Sequence, residues 1–361
     1  MRLVVLGLTL SSSWGNGHAT TFRALLKAFA ARGHDILFLE RDKPWYASQR
    51  DLADPDYCQL AFYDSLGDLA DWRREIAGAD AVIVGSYVPE GVAVAGLVQQ
   101  WAEGVTAFYD IDTPVTLAKL ARGDTEYIAP ETIPGFDIYF SFTGGPTLAR
   151  IEAEFGAPAA RALYCSVDPA LYPPPAPGTR KLWDLSYLGT YSPDRQPTLE
   201  RLLIAPARAN PGLRCVVAGP QYPSDIDWPD NVARIEHLPP AEHAAFYGAS
   251  RFTLNVTRAD MIAAGWSPSV RLFEAAACGT PIISDIWDGI EQLFTPDAEI
   301  ILARSGAEVE AALAGDAEAL GRAARARVMA AHTAAHRAAE LDDHLSQATA
   351  KKAAGPLVLA R

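Results

Sequence analysis

Hydrophobic positions along the chain follow two alternating periods. Short runs of consecutive apolar residues, bounded by glycine, proline or acidic residues, have the length of strands buried on both faces. Between them, apolar residues recur every three or four positions, the spacing of amphipathic helices. Residues 3–6 form the first such strand. A Gly- and Ser-rich loop over 7–18 leads to a helix over 20–31 with Phe22, Leu25, Leu26 and Phe29 inward, stopped near Gly33. The next strand is 35–40, so the chain opens with a βαβ unit. The alternation continues with helix 71–77, strand 81–84, helix 92–102, strand 105–110, strand 136–142, helix 146–155 and a short extended piece at 162–165.

Residues 168–178 break the pattern with several prolines and no helical period, which predicts a linker. A second α/β run follows: strand 185–189, helix 198–209, strands 213–219 and 232–237, helix 240–247, strand 252–256, helix 270–278, strands 282–283 and 299–302, and helices 308–313 and 318–332. An Ala-rich amphipathic helix is expected from about 333 to 345, with a frayed end. The domain expectation is therefore 1–167, a linker at 168–182, a second domain at 183–332, and a terminal helix and tail at 333–361. The fold class expected is α/β, two Rossmann-like domains facing each other across a cleft.

Composition narrows the function. At 361 residues the chain exceeds one typical core. A net charge of −13 argues against a nucleic-acid or anionic-membrane footprint, while a local basic pocket for one small anion stays allowed. Cys58, Cys165, Cys215 and Cys278 are isolated and read as reduced core thiols, which with the short apolar start predicts a cytoplasmic protein with no membrane segment. The cysteines form no CxxC pair and have no His at ligand spacing, and no cofactor is expected; Asp110-Ile-Asp112 has the letters of a DxD site but lies in the first half.

Candidate chemistry gathers at predicted strand ends. Gly15, Asn16, Gly17 and His18 stand before the first helix, where glycines admit a ligand and the helix terminus favours negative charge. His18 reads as a general base or as a turn residue. The loop is not GxGxxG and Glu40 is a weak ribose candidate, so a dinucleotide reading is disfavoured. Asp110 and Asp112 end a strand and read as a base or hydroxyl-binding pair, or Asp112 as a plain helix cap. In the second half, Gly189-Thr-Tyr191-Ser-Pro-Asp-Arg195 offers a close approach and a phosphate-binding cation. Gly219 and His237 follow strands at the same edge. Asn255 and Arg258 end a strand before Ser267, Ser269, Arg271 and Glu274. Arg271 and Glu274, three apart, share a helical face and read either as an idle ion pair or as a phosphate and ribose site.

With these residues in place the sequence resembles the GT-B glycosyltransferases, most nearly the subgroup related to the CgeB spore-maturation protein, whose C-terminal half looks like a "glycosyl transferases group 1" domain. The resemblance is carried by Leu188-Gly-Thr-Tyr-Ser-Pro-Asp-Arg195, Leu254-Asn-Val-Thr-Arg258 and Arg271-Leu-Phe-Glu-Ala-Ala-Ala-Cys-Gly-Thr-Pro-Ile-Ile-Ser-Asp285. It implies a UDP- or dTDP-sugar donor held by the second domain, with Glu274 on the ribose and Arg195 and the loop before Arg271 on the diphosphate. It also implies an acceptor docked near residues 15–18 and 110–112, no catalytic metal, and a terminal helix crossing back to the first domain. Many retaining members carry Glu-x7-Glu. Here Glu274 matches the second glutamate and Trp266 stands at the first, so the sugar contacts would come from the Ala264 and Gly265 amides or the Ser267 hydroxyl. Two other readings stay open: a nucleotide-sugar epimerase of the same architecture, and a non-catalytic bilobal binding protein.

Overall fold

The structure is a computed structural model that describes residues 1–14 and 17–354. It divides into two compact units, 1–165 with 334–361, and 166–333. Each is built on a parallel sheet.

The first unit contains β1 (Arg2–Gly7), β2 (Asp35–Arg41), β3 (Gln59–Tyr63), β4 (Ala81–Gly85), β5 (Val105–Asp110), β6 (Ile138–Ser141) and β7 (Ala160–Ala162), in the order β3-β2-β1-β4-β5-β6-β7. Val4, Leu6, Val82, Val84, Phe108 and Tyr139 are sealed in its core. Strand order from β1 runs first to one side and later to the other, so the crevice between the C-terminal ends of β1 and β4 is a switch point, where open α/β sheets bind ligands. β3 is an addition to the expected strands, and its hydrophobic pattern is weak because four of its five positions lie at or near the surface. The helix Thr113–Ala121, with Pro114 in its first turn, is a second addition.

The first helix spans His18–Ala30, so His18 is its first residue rather than part of the loop before it. Residues 9–11 of that loop are tied down by Glu40 at the end of β2. Its fully buried carboxylate accepts the Leu10 amide (2.7 Å), the Ser11 amide (2.9 Å), the Ser11 hydroxyl (2.6 Å) and the Thr9 hydroxyl (3.1 Å). Glu40 is thus a loop anchor with its oxygens filled, and not a ribose ligand.

The terminal helix is longer than the pattern implied, Ala334–Ala354, and packs in the first unit against His18–Ala30. Asp342 pairs with Arg32 (2.8 Å) and His34 (3.2 Å), and Lys352 donates to the Gly104 carbonyl (2.6 Å).

The second unit contains β8 (Trp183–Leu188), β9 (Cys215–Ala218), β10 (Val232–Ile235), β11 (Ser250–Asn255), β12 (Ile282–Ser284) and β13 (Ile301–Leu302), ordered β10-β9-β8-β11-β12-β13. Its switch point lies between β8 and β11. Leu185, Val217, Leu254 and Ile283 form the core. Residues 168–182, expected as a linker, belong to this unit, and Tyr172 is buried in it. No helix among the described residues is long and apolar enough to cross a membrane.

Glu40 carries a testable consequence. Glu40→Gln turns an acceptor facing two backbone amides into a donor and should destabilise the protein by about 3 kcal/mol, measured by urea unfolding. A loss under about 1 kcal/mol would contradict the anchoring role.

Candidate functional site

In the second unit every loop that the sequence singled out leaves the same edge of the sheet. β8 ends at Leu188 and runs into Gly189. A side chain at Gly189 would meet the Tyr187 hydroxyl at 2.6 Å and an Arg271 nitrogen at 2.9 Å. Gly219, after β9, has φ +139°, and a Cβ there would fall 2.1 Å from the Gly189 carbonyl oxygen, so neither position admits a larger residue without a shift. Tyr191 and Tyr222 meet edge to face at 5.5 Å beside these glycines, and His237 is exposed on the loop after β10.

Arg195 begins the helical turn that leaves this loop. Its guanidinium donates to the Thr190 carbonyl (2.6 Å), and its Nε is buried without a partner. Burial pulls its pKa down, and the nearby cations Arg271 and Arg258 pull the same way, against Tyr187 and Tyr222. Three guanidinium groups therefore concentrate positive charge at the switch point of a chain that is otherwise strongly acidic. Arg258 is exposed on the loop after β11.

Asn255, fully buried at the end of β11, is a hub. Its amide donates to Ser284 Oγ (2.9 Å), and its Oδ1 accepts from Ser269 Oγ (2.9 Å) and Arg271 Nη1 (3.1 Å). Ser269 stands at the N-terminus of the helix Val270–Ala277, but its hydroxyl is turned to Asn255 and no side chain caps the helix. The Leu272 amide donates to the Ser269 carbonyl (3.1 Å), which leaves the Val270 and Arg271 amides of the first turn for an anion or water. Ser267 is buried just before them.

Arg271 and Glu274 do not pair with each other among the described residues. Arg271 reaches back to the Leu188 carbonyl and to Asn255 and lies 5.1 Å over the Tyr187 ring. Glu274, 5% exposed, accepts the Tyr172 hydroxyl at 2.6 Å and the Tyr247 hydroxyl at 3.4 Å, with His243 Nδ1 at 4.0 Å.

Trp266 adopts φ +45°, an uncommon conformation for a non-glycine residue. Its amide is bonded to the Asp288 carbonyl and its ring fills the space above Gly289. The Gly265 amide donates to the Met261 and Ile262 carbonyls, so it is already engaged rather than open to a sugar hydroxyl.

In the first unit the switch point holds a second constellation. Gly15 and Asn16 lie outside the described residues, and Gly17 is exposed. His18 is buried, and burial lowers its pKa to about 4. It meets Tyr87, after β4, edge to face at 5.3 Å. Tyr87 has φ +62° and bonds Asp112 Oδ2 at 3.3 Å. The Tyr127 ring lies tilted against that of Tyr87 at 4.4 Å, and the Lys119 amine lies over both rings. Asp110 is fully enclosed by Tyr139 (2.5 Å), Thr116 (2.7 Å) and the Asp112 amide (3.2 Å), and burial raises its pKa to about 6. Its oxygens turn into the unit, while the half-buried Asp112 accepts from the Tyr87 hydroxyl. Sequence reasoning does not find Tyr87 or Tyr172. Neither sits in a motif, and the left-handed backbone at Tyr87 leaves no mark in composition.

Residues 195–343 match a family model described as glycosyl transferase-like. Solved structures resemble the whole chain. A sucrose-phosphate synthase from Thermosynechococcus elongatus aligns with a TM-score of 0.70 at 15% identity, over 97% of this chain and 100% of that one. Anabaena HepE in complex with UDP aligns at 0.71 with 12% identity, over 96% and 100%. An alpha-glucosyltransferase in complex with UDP aligns at 0.68 with 12% identity, over 96% and 100%. These identities speak for the fold, and the family match for residues 195–343 alone. The chain has the GT-B fold. No curated protein matches it.

The buried neutral His18 of this GT-B protein generates a pH prediction. Its folded pKa of about 4 lies below the ordinary 6.5, so the unfolded chain binds more protons between those values. Stability contributed by neutral His18 is full above pH 6.5 and falls with pH until about pH 4, by roughly 3 kcal/mol. Asp110 acts in the opposite sense, since a raised carboxyl pKa favours the folded state toward acid. The comparison is therefore wild type against His18→Gln by urea unfolding at pH 7 and pH 4.5. The variant should lose less stability than wild type on acidification, and equal losses would contradict a buried neutral His18.

Proposed function

We propose that the protein transfers a sugar from a UDP-sugar, held by the second unit, to a hydroxyl-bearing acceptor held by the first, without a metal ion. The observation that carries this reading is the convergence of Arg195, Arg258 and Arg271 with an uncapped helix N-terminus at the β8–β11 switch point. Cations and helix amides fixed in place stabilise the diphosphate as the bond to the anomeric carbon breaks, which is the work a divalent ion does elsewhere. Among the described residues no group of three or more His, Cys, Asp or Glu has the arrangement of a metal site. Arg271, with two of its nitrogens held by Leu188 and Asn255, sets the shape of the Gly189 loop. Arg195 and Arg258 then face the phosphates.

Glu274 takes the ribose hydroxyls, and the loops of Gly189, Tyr191, Gly219 and His237 wall the base. Choice of UDP is supported by the complexes formed by HepE and the alpha-glucosyltransferase, which share the fold. On the acceptor side His18 receives the proton from the attacking hydroxyl. It stays neutral through the physiological range, the form that accepts a proton, and Tyr87 and Asp112 orient the ring and the acceptor. Gly17 would border the same site. Asp110, being enclosed, supports Thr116 and Tyr139 rather than the reacting atoms.

A thermal-shift screen of UDP, dTDP, GDP and their sugars tests the donor. UDP and a UDP-sugar should raise the melting temperature most, and should do so equally in EDTA. His18→Ala should bind UDP as wild type does while losing transfer. No shift with any nucleotide at millimolar concentration would contradict the reading. So would conversion of a UDP-sugar alone into its epimer.

A further inference from the structure

The carboxylate of Glu274 is held from behind. Tyr172 donates to Oε1 at 2.6 Å and Tyr247 to Oε2 at 3.4 Å, so each oxygen has one phenol on it. All three residues are at most 5% exposed. Burial and the charge on Glu274 push both phenol pKa values up, so both stay protonated and remain donors. The Tyr247 backbone is fixed by the Thr280 hydroxyl on its carbonyl (2.7 Å). Tyr172 comes from a stretch without regular structure, yet that stretch is fastened. Ala170 and Leu171 donate to Asp168 (3.0 Å each), and Lys181 donates to the Gly248 carbonyl (2.7 Å).

A carboxylate has about four lone-pair directions, two on each oxygen. With one phenol on each oxygen, and His243 Nδ1 4.0 Å from Oε2, a further direction on each oxygen is left for a ligand. That is the pattern that receives two adjacent hydroxyl groups, as on an intact ribose. A carboxylate free to rotate about its last bond would have to be ordered when the nucleotide binds, which weakens binding and blunts selectivity. One already fixed discriminates against a sugar that lacks a hydroxyl, because an acceptor is then left unfilled.

We propose that Tyr172 is a positioning residue which, with Tyr247, locks the Glu274 carboxylate so that the site selects a nucleotide with both ribose hydroxyls over its 2′-deoxy counterpart. This rests on the reading of Glu274 as the ribose ligand. It adds a determinant from the segment that precedes the second sheet, far in sequence from the helix of Glu274, and it directs the donor toward UDP rather than a deoxynucleotide such as dTDP.

The test is calorimetric titration of UDP and 2′-deoxy-UDP into wild type, Tyr172→Phe and Tyr247→Phe, with inorganic pyrophosphate as the control ligand. Wild type should prefer UDP by roughly tenfold, and Tyr172→Phe should reduce that preference to about twofold with pyrophosphate binding unchanged. Tyr247→Phe, which loses a longer bond, should reduce it less. A wild type with no preference overturns the assignment of Glu274 to ribose. A wild type that discriminates, beside a Tyr172→Phe variant that discriminates equally well, overturns the role of Tyr172 alone. That role is overturned as well if Tyr172→Phe weakens both nucleotides by the same factor, the mark of a purely structural effect.

Discussion

The guanidinium of Arg271 joins three pieces of the second unit that are far apart in sequence. It holds the end of β8 through the Leu188 carbonyl, the end of β11 through Asn255, and its own helix. Those two strands flank the switch point of the sheet, so this one group sets the width and floor of the crevice. The glycines at 189 and 219 follow from it. With Arg271 against Gly189, and Gly219 against the Gly189 carbonyl, no side chain fits at either position without a shift. Arg271 also adds to the positive charge around Arg195. A planar, permanently charged fork suits all of these tasks together, whereas the point charge of a lysine would serve the last alone.

The two units show the same logic with different chemistry. Each places its candidate groups at the C-terminal end of the strand pair where the sheet changes direction. In the second unit the groups are cationic and backbone donors, suited to a leaving diphosphate. In the first they are a neutral imidazole, a strained tyrosine and carboxylates, suited to orienting a hydroxyl and taking its proton. The strain at Tyr87 is supported by Asp112, Tyr127 and Lys119, in keeping with unfavourable backbone being stored where positioning matters.

The core strands and most helices are legible in the sequence because a strand buried on both faces and a one-sided helix leave different periods. β3 is not, since a half-exposed edge strand carries neither period strongly. The loops that border the second site are legible from glycines at strand ends and from the Arg271–Glu274 motif. How those side chains are used is not. Three-residue spacing places Arg271 and Glu274 on one face but does not decide whether they meet, and here each is drawn to partners from other segments. Tyr172 is hidden for the opposite reason. Its proline-rich surroundings read as a linker, and only the folded chain shows its hydroxyl on Glu274. Glu40 and Asp110 look in sequence like candidate ligands, and the structure shows both enclosed by donors from their own unit.

The proposed transfer requires the second unit to hold a nucleoside diphosphate through Glu274 on one side and the arginine cluster on the other. Calorimetric titration of UDP and of uridine into wild type, Glu274→Ala and Arg195→Ala measures this most directly. Glu274→Ala is expected to weaken both ligands by about 1–3 kcal/mol, and Arg195→Ala to weaken UDP by a similar amount while leaving uridine unchanged. UDP affinity unaltered in both folded variants would contradict it.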